Sequence, residues 1–270
     1  MGEEFIAQHN NSRVKNKARI RYNLKASQKI KMKTIIAPLV LFCLLAYNAN
    51  GQTTEEIIKN YIANIGGKNT WKKVKTLTTS GEYNYGGISF PFTTYAAAPN
   101  RYKFIVQSNG KYYAQGFDGK KGWKIDTFKN ETTPTILTGP AAVAMANESN
   151  VELADMLIDY ETNGFMVSYS GKDSAAGYLC YRLKVFRDNG EMETLYFNPE
   201  NFDLVMKKAV SKNVELDKAL LKIYYSDYRS VDGIRIPFKT VCESDQQVIL
   251  TITINKASTN TPIDDKEFAP

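Results

Sequence analysis

The sequence predicts an α+β protein built on one large, curved antiparallel sheet, an unclosed half-barrel of about eleven strands covered by helices. Short runs rich in aromatic and β-branched residues recur from Leu77 onward, separated by glycine, asparagine, aspartate and proline. Helical periodicity is confined to one segment before these runs and one among them. Because two helical segments cannot fill the interior of so wide a sheet, we expect an apolar cavity beneath them.

A helix opens this domain. Thr53 and Glu56 have the spacing of a capping box, and Gly66-Gly67 supply the stop. Between them, apolar residues recur at the intervals of one helix face. A short helical turn around Trp71 follows. The apolar face consists of Ile57, Ile58, Tyr61, Ile62 and Ile65.

The first half of the sheet is predicted to be an antiparallel meander. Asn109-Gly110 and Asp118-Gly119 are two-residue hairpin signals, and Gly86-Gly87 and Pro99-Asn100 mark the other turns. The predicted strands are Leu77–Tyr85, Ile88–Tyr95, Arg101–Gln107, Lys111–Phe117 and Gly122–Ile125.

A helical segment over Ala141–Met156, rich in alanine and methionine, interrupts the meander after Gly139-Pro140. Asn189-Gly190 and Asp232-Gly233 are turn signals between the strands that follow. These predicted strands are Phe165–Ser170, Tyr178–Phe186, Glu191–Phe197, Leu204–Ser211, Leu220–Tyr228, Ile236–Glu243 and Val248–Asn255.

The segment over residues 32–51 is predicted to be a secretory signal peptide. Lys33 precedes the apolar run Ile35–Ala46, and small residues stand where a signal peptidase cleaves. The run is shorter than the roughly 20 apolar residues that a membrane-spanning helix needs. We therefore expect cleavage between Gly51 and Gln52, export, and a single domain over residues 52–270.

The first 51 residues account for the basic character of the chain. The formal net charge of +7 falls to zero without them, because they hold nine basic and two acidic residues. Residues 1–31 lack apolar periodicity, so we interpret them as a non-native or mis-assigned extension before a true start at Met32. With the excess charge removed, we expect no nucleic-acid binding.

Cleavage also removes His9, the only histidine. A chain without histidine cannot use a Ser-His-Asp or Cys-His mechanism, and it lacks the commonest zinc ligand. No other nucleophile–base set is recognisable, so we predict neither enzyme activity, nor a cofactor, nor a metal. Asp264, Asp265 and Glu267 could hold calcium weakly, although a solvated run of terminal charges is the interpretation we favour.

Two cysteines remain after cleavage, Cys180 and Cys242. Each lies in a predicted strand, so a disulfide requires those strands to be neighbours with facing side chains. Buried free thiols are the alternative, and we favour them.

Apolar side chains of the predicted sheet and helical segment are the candidate ligand-binding residues. Aromatic residues make up 12% of the chain and concentrate in its first strands. Ordinary cross-strand packing is the alternative role for such residues. The candidates are Tyr83, Tyr85, Phe90, Phe92, Tyr95, Tyr102, Phe104, Trp123, Met145 and Met156.

The segment AAAPNRYKFIVQSNGKYYAQGFDGKKGWKIDTF resembles the core of the periplasmic lipoprotein-carrier (LolA-like) family. Pro99-Asn100 lead into an aromatic strand with Phe104, and the Asp118-Gly119-Lys120 turn is followed by Trp123. The start TTEEIIKNYIANIGGKNTWKKVKTLTTSGEY and the endings DYRSVDGIRIPFK and PIDDKEFAP are similar to versions from Bacteroidetes-type bacteria.

This resemblance implies a monomeric periplasmic carrier that holds acyl chains of lipoproteins or other lipids for transport to the outer membrane, with membrane proteins as donor and acceptor. The helical segment Ala141–Met156 would be its lid. In the family an arginine immediately before the proline helps to hold the lid shut, and this chain has Ala98 at that position. Arg101 either substitutes for it or is a solvated residue at a strand end. The alternative function is an envelope protein that uses the same fold to bind protein or glycolipid without transport.

Overall fold

The computed structural model describes residues 52–151, 156–187, 190–211 and 219–270. The predicted extension and signal peptide therefore lie outside the described residues. Three helices and thirteen strands are described here. The helices are α1 (Thr54–Asn64), α2 (Lys68–Trp71) and α3 (Gly139–Val151). The strands are β1 (Thr76–Tyr85), β2 (Ile88–Ala97), β3 (Arg101–Ser108), β4 (Lys111–Phe117), β5 (Gly122–Asp126), β6 (Thr135–Ile136), β7 (Met166–Ala175), β8 (Tyr178–Phe186), β9 (Met192–Phe197), β10 (Leu204–Val210), β11 (Leu220–Val231), β12 (Ile234–Ser244) and β13 (Gln247–Thr259).

All thirteen strands belong to one antiparallel sheet in the order β6-β5-β4-β3-β2-β1-β13-β12-β11-β10-β9-β8-β7. Strands consecutive in sequence are paired except β6 and β7, and the pairing of β1 with β13 joins the two meanders. Because β6 and β7 are edges that do not pair with each other, the sheet is not closed. The predicted unclosed antiparallel sheet is thus confirmed, but it has thirteen strands and not about eleven.

The extra strand and the longer strands have local causes. β6 contains only two residues, Thr135 and Ile136, which is too short to show an alternating pattern. β11 contains a left-handed residue at Asp227 and continues beyond its predicted end at Tyr228 to Val231. Charged residues are tolerated there because alternate positions face solvent.

Helix α1 forms as the capping box predicts. The Thr53 hydroxyl accepts a hydrogen bond from the Glu56 N–H at 3.2 Å, and Glu56 Oε2 accepts one from the Thr53 N–H at 3.0 Å. Its apolar face, with Ile57 and Tyr61, is buried against the sheet in the main hydrophobic core. None of the described helices is long and apolar enough to cross a bilayer.

The sheet has two different faces. The helix-bearing face contacts α1 and α3, and its side chains from β1 to β12 form the main core. The opposite face carries two smaller clusters, one around Trp123 and one around Tyr196. Side chains alternate between the two faces along each strand, so the strand register assigns each residue to one of them.

The two cysteines lie on opposite faces and are free thiols. Cys180 belongs to the Tyr196 cluster, whereas Cys242 faces the helix-bearing side beside Leu250 and Ile223. Three strands separate β8 from β12, which is about 19 Å at the usual strand spacing. This distance excludes a disulfide and confirms the interpretation of buried free thiols.

Candidate lipid-binding wall

Five aromatic side chains form a continuous surface on the helix-bearing face of β1 to β3. The Tyr83 ring lies 5.3 Å from that of Phe104, which lies 6.1 Å from that of Phe92. Tyr83 also stacks on Tyr85 at 6.5 Å, and Phe90 pairs with Tyr83 across the strands. We call these residues, Tyr83, Tyr85, Phe90, Phe92 and Phe104, the aromatic wall.

Aliphatic residues of β13 and β12 extend this surface toward the other half of the sheet. In register, Tyr83 faces Ile252 and Tyr85 faces Leu250, and Leu250 in turn faces Cys242 of β12. Most of these side chains are only half-buried, which leaves apolar area exposed. Burial raises the pKa of the Tyr83 phenol, as its apolar surroundings disfavour the charged form.

The helices cover only one end of this face. The Ile65 carbonyl after α1 accepts a hydrogen bond from the Arg235 N–H at 2.9 Å, beside the β11–β12 turn. Met145 of α3 packs on Gly122, beside the β4–β5 turn at the same end of the strands. The aromatic wall therefore opens toward the other end.

Exposed apolar residues concentrate at that open end. Among the described residues, eight of the twelve exposed large hydrophobic residues lie at or beside its hairpins, including Tyr85 at 55% exposure and Ile88 at 62%. This is unusual, because exposed apolar residues are normally scattered singly. We call this group the apolar rim: Tyr85, Ile88, Phe128, Met166, Met192, Val210, Leu220 and Val248.

The candidate residues predicted from the sequence fall into three groups. Tyr83, Tyr85, Phe90 and Phe104 belong to the aromatic wall and keep exposed surface. Phe92, Tyr102 and Met145 face the same side but are almost fully buried, and Met156 packs partly buried against the main core. The remaining two, Tyr95 and Trp123, alternate to the opposite face.

A depression of 360 Å³ lies at the β3–β4 turn, lined by Pro91 and residues 107–112. None of the ten candidate residues lines it. The part of the predicted cavity that contains Tyr102 and Met145 is filled by packed side chains of the main core. Exposed apolar area is thus found on the aromatic wall.

Trp123 holds the C-terminal turn, Asp265–Phe268, against the face opposite the helices. Its indole N–H donates to the Phe268 carbonyl at 2.8 Å, and the Arg101 guanidinium lies 4.9 Å from the Phe268 ring. Arg101 also pairs with Asp265, and Lys103 pairs with Glu267 at 2.9 Å. These carboxylates thus anchor the chain end, and no group of three metal-ligating residues occurs within the described ranges.

Arg101 is consequently on the wrong face to replace the lid arginine of the resembling family. It lies with the C-terminal turn, whereas α3 covers the helix-bearing face. Ala98 packs partly buried against the main core.

We expect Trp123→Phe to destabilise the fold by about 1 kcal/mol, because the buried Phe268 carbonyl loses its donor. Limited proteolysis should then release the C-terminal residues at lower denaturant than in the unmodified protein. Trp71→Phe is the matched control, since Trp71 donates in the same way to the Ile65 carbonyl at 2.9 Å on the helix side. Equal release from both variants would contradict this role of Trp123.

Sequence reasoning missed the apolar rim, although its residues were visible as apolar side chains beside turns. It also missed a buried charged group at Glu193, Arg187 and Lys207 on the helix-bearing face. The only signal of the latter was an acidic residue at an inward-facing position of β9.

By its geometry the molecule is an open antiparallel half-barrel with helices on one face. No protein-family model and no curated protein matches the chain. A DUF1329 family protein from Desulfovibrio piger is 13% identical with a TM-score of 0.54, covering 80% of this chain and 97% of its own.

A LolA superfamily protein from Nitrosomonas europaea is 13% identical with a TM-score of 0.51, covering 81% of this chain and 98% of its own. A proposed outer membrane lipoprotein-sorting protein domain from Vibrio parahaemolyticus is 11% identical with a TM-score of 0.52, covering 79% and 95%. At these identities the likeness shows a common fold. The family resemblance seen in the sequence is confirmed at that level.

Proposed function

We propose that the protein is an exported carrier or chaperone that binds acyl chains of lipoproteins or lipids in the periplasm, for transport to the outer membrane. The observation that supports this proposal is the half-exposed aromatic wall, which continues through Tyr85 to Ile88 and Phe128 of the apolar rim. Burial of each acyl CH₂ contributes about 0.8 kcal/mol, so such a surface binds a chain without any catalytic group.

Helix α3 is the proposed lid. The side chains of its segment Ala141–Ala146 are mostly small. Met145 is buried against the main core, whereas Val143 is exposed. A helix that buries little apolar area costs little to displace. Its movement would add Tyr102 and Phe117 beneath it to the surface available for an acyl chain.

A binding role without catalysis accords with the chemistry of the described residues. Burial raises the pKa of the Cys180 and Cys242 thiols, which keeps them protonated and poorly nucleophilic. We propose that the protein is not an enzyme, and we propose separately that it acts as a monomer.

Native mass spectrometry of protein purified without detergent tests the proposal. We expect a fraction of the protein to carry added masses of acyl-chain lipids, because a wall of this kind retains an amphiphile through gentle purification. Protein that is consistently empty, under conditions in which an established lipid carrier stays loaded, would contradict it.

The apolar rim also favours the alternative, an envelope protein that contacts a protein or glycolipid without transport. Transfer of a fluorescent lipid between two vesicle populations separates the two functions. A carrier speeds the transfer in proportion to protein concentration, whereas a stationary binding protein retains the lipid and does not deliver it.

A further inference from the structure

A row of apolar side chains lies at the open end of β7 to β11, on the face opposite the helices. Met192 and Val210 lie four residues from Tyr196 and Met206 of the opposite-face cluster, and this even interval puts them on the same face. Most of the row belongs to the apolar rim, with Met166 at 68% exposure. We call it the outer apolar row: Met166, Phe186, Met192, Val210 and Leu220, which are joined by strand pairing.

A row of lysines lies behind the outer apolar row on the same face. Lys184 faces Thr194, Thr194 faces Lys208, and Lys208 faces Lys222. Each of these lysines is two residues from a member of the outer apolar row, a distance of about 7 Å along the strand. We call Lys184, Lys208 and Lys222 the lysine row.

The positive charges of the lysine row are poorly compensated by the sheet. Like charges that face each other across antiparallel strands destabilise the pair, and Lys208 faces Lys222 in this way. In the part of the chain that the structure describes, no member of the lysine row forms an ion pair.

Two acidic residues lie near the lysine row. Glu243 of β12 faces Lys222 on the neighbouring strand. Asp173 of β7 is already paired with Arg182, at 3.3 Å between Oδ2 and Nη1. One carboxylate beside three lysines leaves the row with a net positive charge, directly beside exposed apolar side chains.

This order of an apolar row and a positive row matches the layers of a lipid bilayer. Apolar side chains of surface-bound proteins enter roughly 5–10 Å into the boundary between head groups and acyl chains. Lysines about 7 Å further out then lie at the level of the phosphates, where anionic lipids attract them. An acidic protein would attract the lysines too, but it does not require apolar and charged side chains in successive layers.

We propose that the outer apolar row and the lysine row form a docking surface for an anionic lipid bilayer. This inference goes beyond the proposed function and does not rest on it, because the aromatic wall lies on the helix-bearing face. Both surfaces reach the same end of the strands, so docking directs the open end of the aromatic wall toward the membrane.

Flotation of the full chain with lipid vesicles tests the docking surface. One set of vesicles contains phosphatidylcholine alone, and the other contains about one third phosphatidylglycerol, which is anionic. We expect tighter binding to the anionic vesicles. The double change Lys184→Gln with Lys222→Gln should weaken that binding about tenfold or more, since each lysine near an anionic surface contributes roughly a factor of five. Every variant keeps residues 1–51, so the basic charge of that segment is constant.

Lys239→Gln with Lys256→Gln is the matched control. Lys239 follows Phe238 and Lys256 precedes Ala257, which pack in the main core, so both lysines lie on the opposite face. The control removes the same charge from the same face, but further from the open end, and should leave vesicle binding unchanged. Equal weakening by the two double changes would overturn the docking surface, because net charge alone would then explain it.

Met192→Trp tests the apolar contact directly. The added indole should be quenched by lipids brominated on their acyl chains when the protein is bound to anionic vesicles. Trp71 and Trp123 are buried, so the unmodified protein gives the background. No quenching beyond that background would overturn the proposed insertion. Absence of binding to both kinds of vesicle would overturn the bilayer as partner in favour of an acidic protein.

The carrier function is tested separately in the same proteins. The double change Lys184→Gln with Lys222→Gln should bind a fluorescent fatty acid as tightly as the unmodified protein, because neither lysine faces the aromatic wall, and this also shows that the variant is folded. Vesicle binding without any fatty-acid binding would overturn the proposed carrier and support the docking surface.

Discussion

Gly66→Ala is expected to lower the free energy of unfolding by about 3 kcal/mol. Gly66 ends α1 with φ +107°, a conformation that alanine rarely adopts. A Cβ there would overlap the Gly233 carbonyl oxygen and lie 3.0 Å from the Ile234 Cα. Relief requires α1 to move away from the β11–β12 turn. Denaturant unfolding followed by tryptophan fluorescence measures the loss.

Gly67→Ala is the matched control for this change. Gly67 also has a positive φ, +83°, but a Cβ on it would meet nothing within 4 Å. The control should therefore cost only the conformational strain of φ +83° and ψ 149°, which residues other than glycine rarely adopt, about 2 kcal/mol and less than Gly66→Ala. An equal loss of stability in both variants would contradict the prediction. It would show that the close contact between Gly66 and Gly233 does not restrict the position of α1 on the sheet.

Phe104→Ala is expected to weaken binding of a fluorescent fatty acid about tenfold or more. Phe104 lies at the centre of the aromatic wall, between Tyr83 and Phe92, and is only half-buried. Its ring thus offers apolar area to a ligand, and truncation removes that area without emptying the deepest core. Fluorescence titration of the purified protein gives the dissociation constant.

Ile105→Ala is the control, because the next residue on the same strand points to the opposite face and packs beside Trp123. This change should reduce stability but leave the affinity unaltered. Trp123→Phe should likewise leave it unaltered. A loss of affinity in Ile105→Ala that equals the loss in Phe104→Ala would place the acyl chain elsewhere.

The prediction of α1 and of the meander succeeded because each depends on neighbours in sequence. Thr53 and Glu56 close their own hydrogen bonds, and the Asn109-Gly110 turn sets the pairing of β3 with β4. The two-residue strand β6 could not be predicted in this way, because it forms only through pairing with Trp123 and Lys124 of β5.

The ten candidate residues from the sequence do not all lie on one face of the sheet. Eight of the ten residues lie on the helix-bearing face or pack into the main core, whereas Tyr95 and Trp123 face away. An aromatic-rich strand does not show which face will receive a helix and which the C-terminal turn. The Phe268 carbonyl that binds Trp123 lies 145 residues away in sequence.

The sequence by itself determined the strand-rich class, the turns and the capped first helix, since these depend on residue type and short spacing. Only the tertiary structure decided which aromatic residues remain exposed, that the two thiols lie on opposite faces, and that Glu193, Arg187 and Lys207 meet. Those outcomes depend on the pairing of β1 with β13 and on the packing of helices on one face, which arise from contacts between residues distant in the chain.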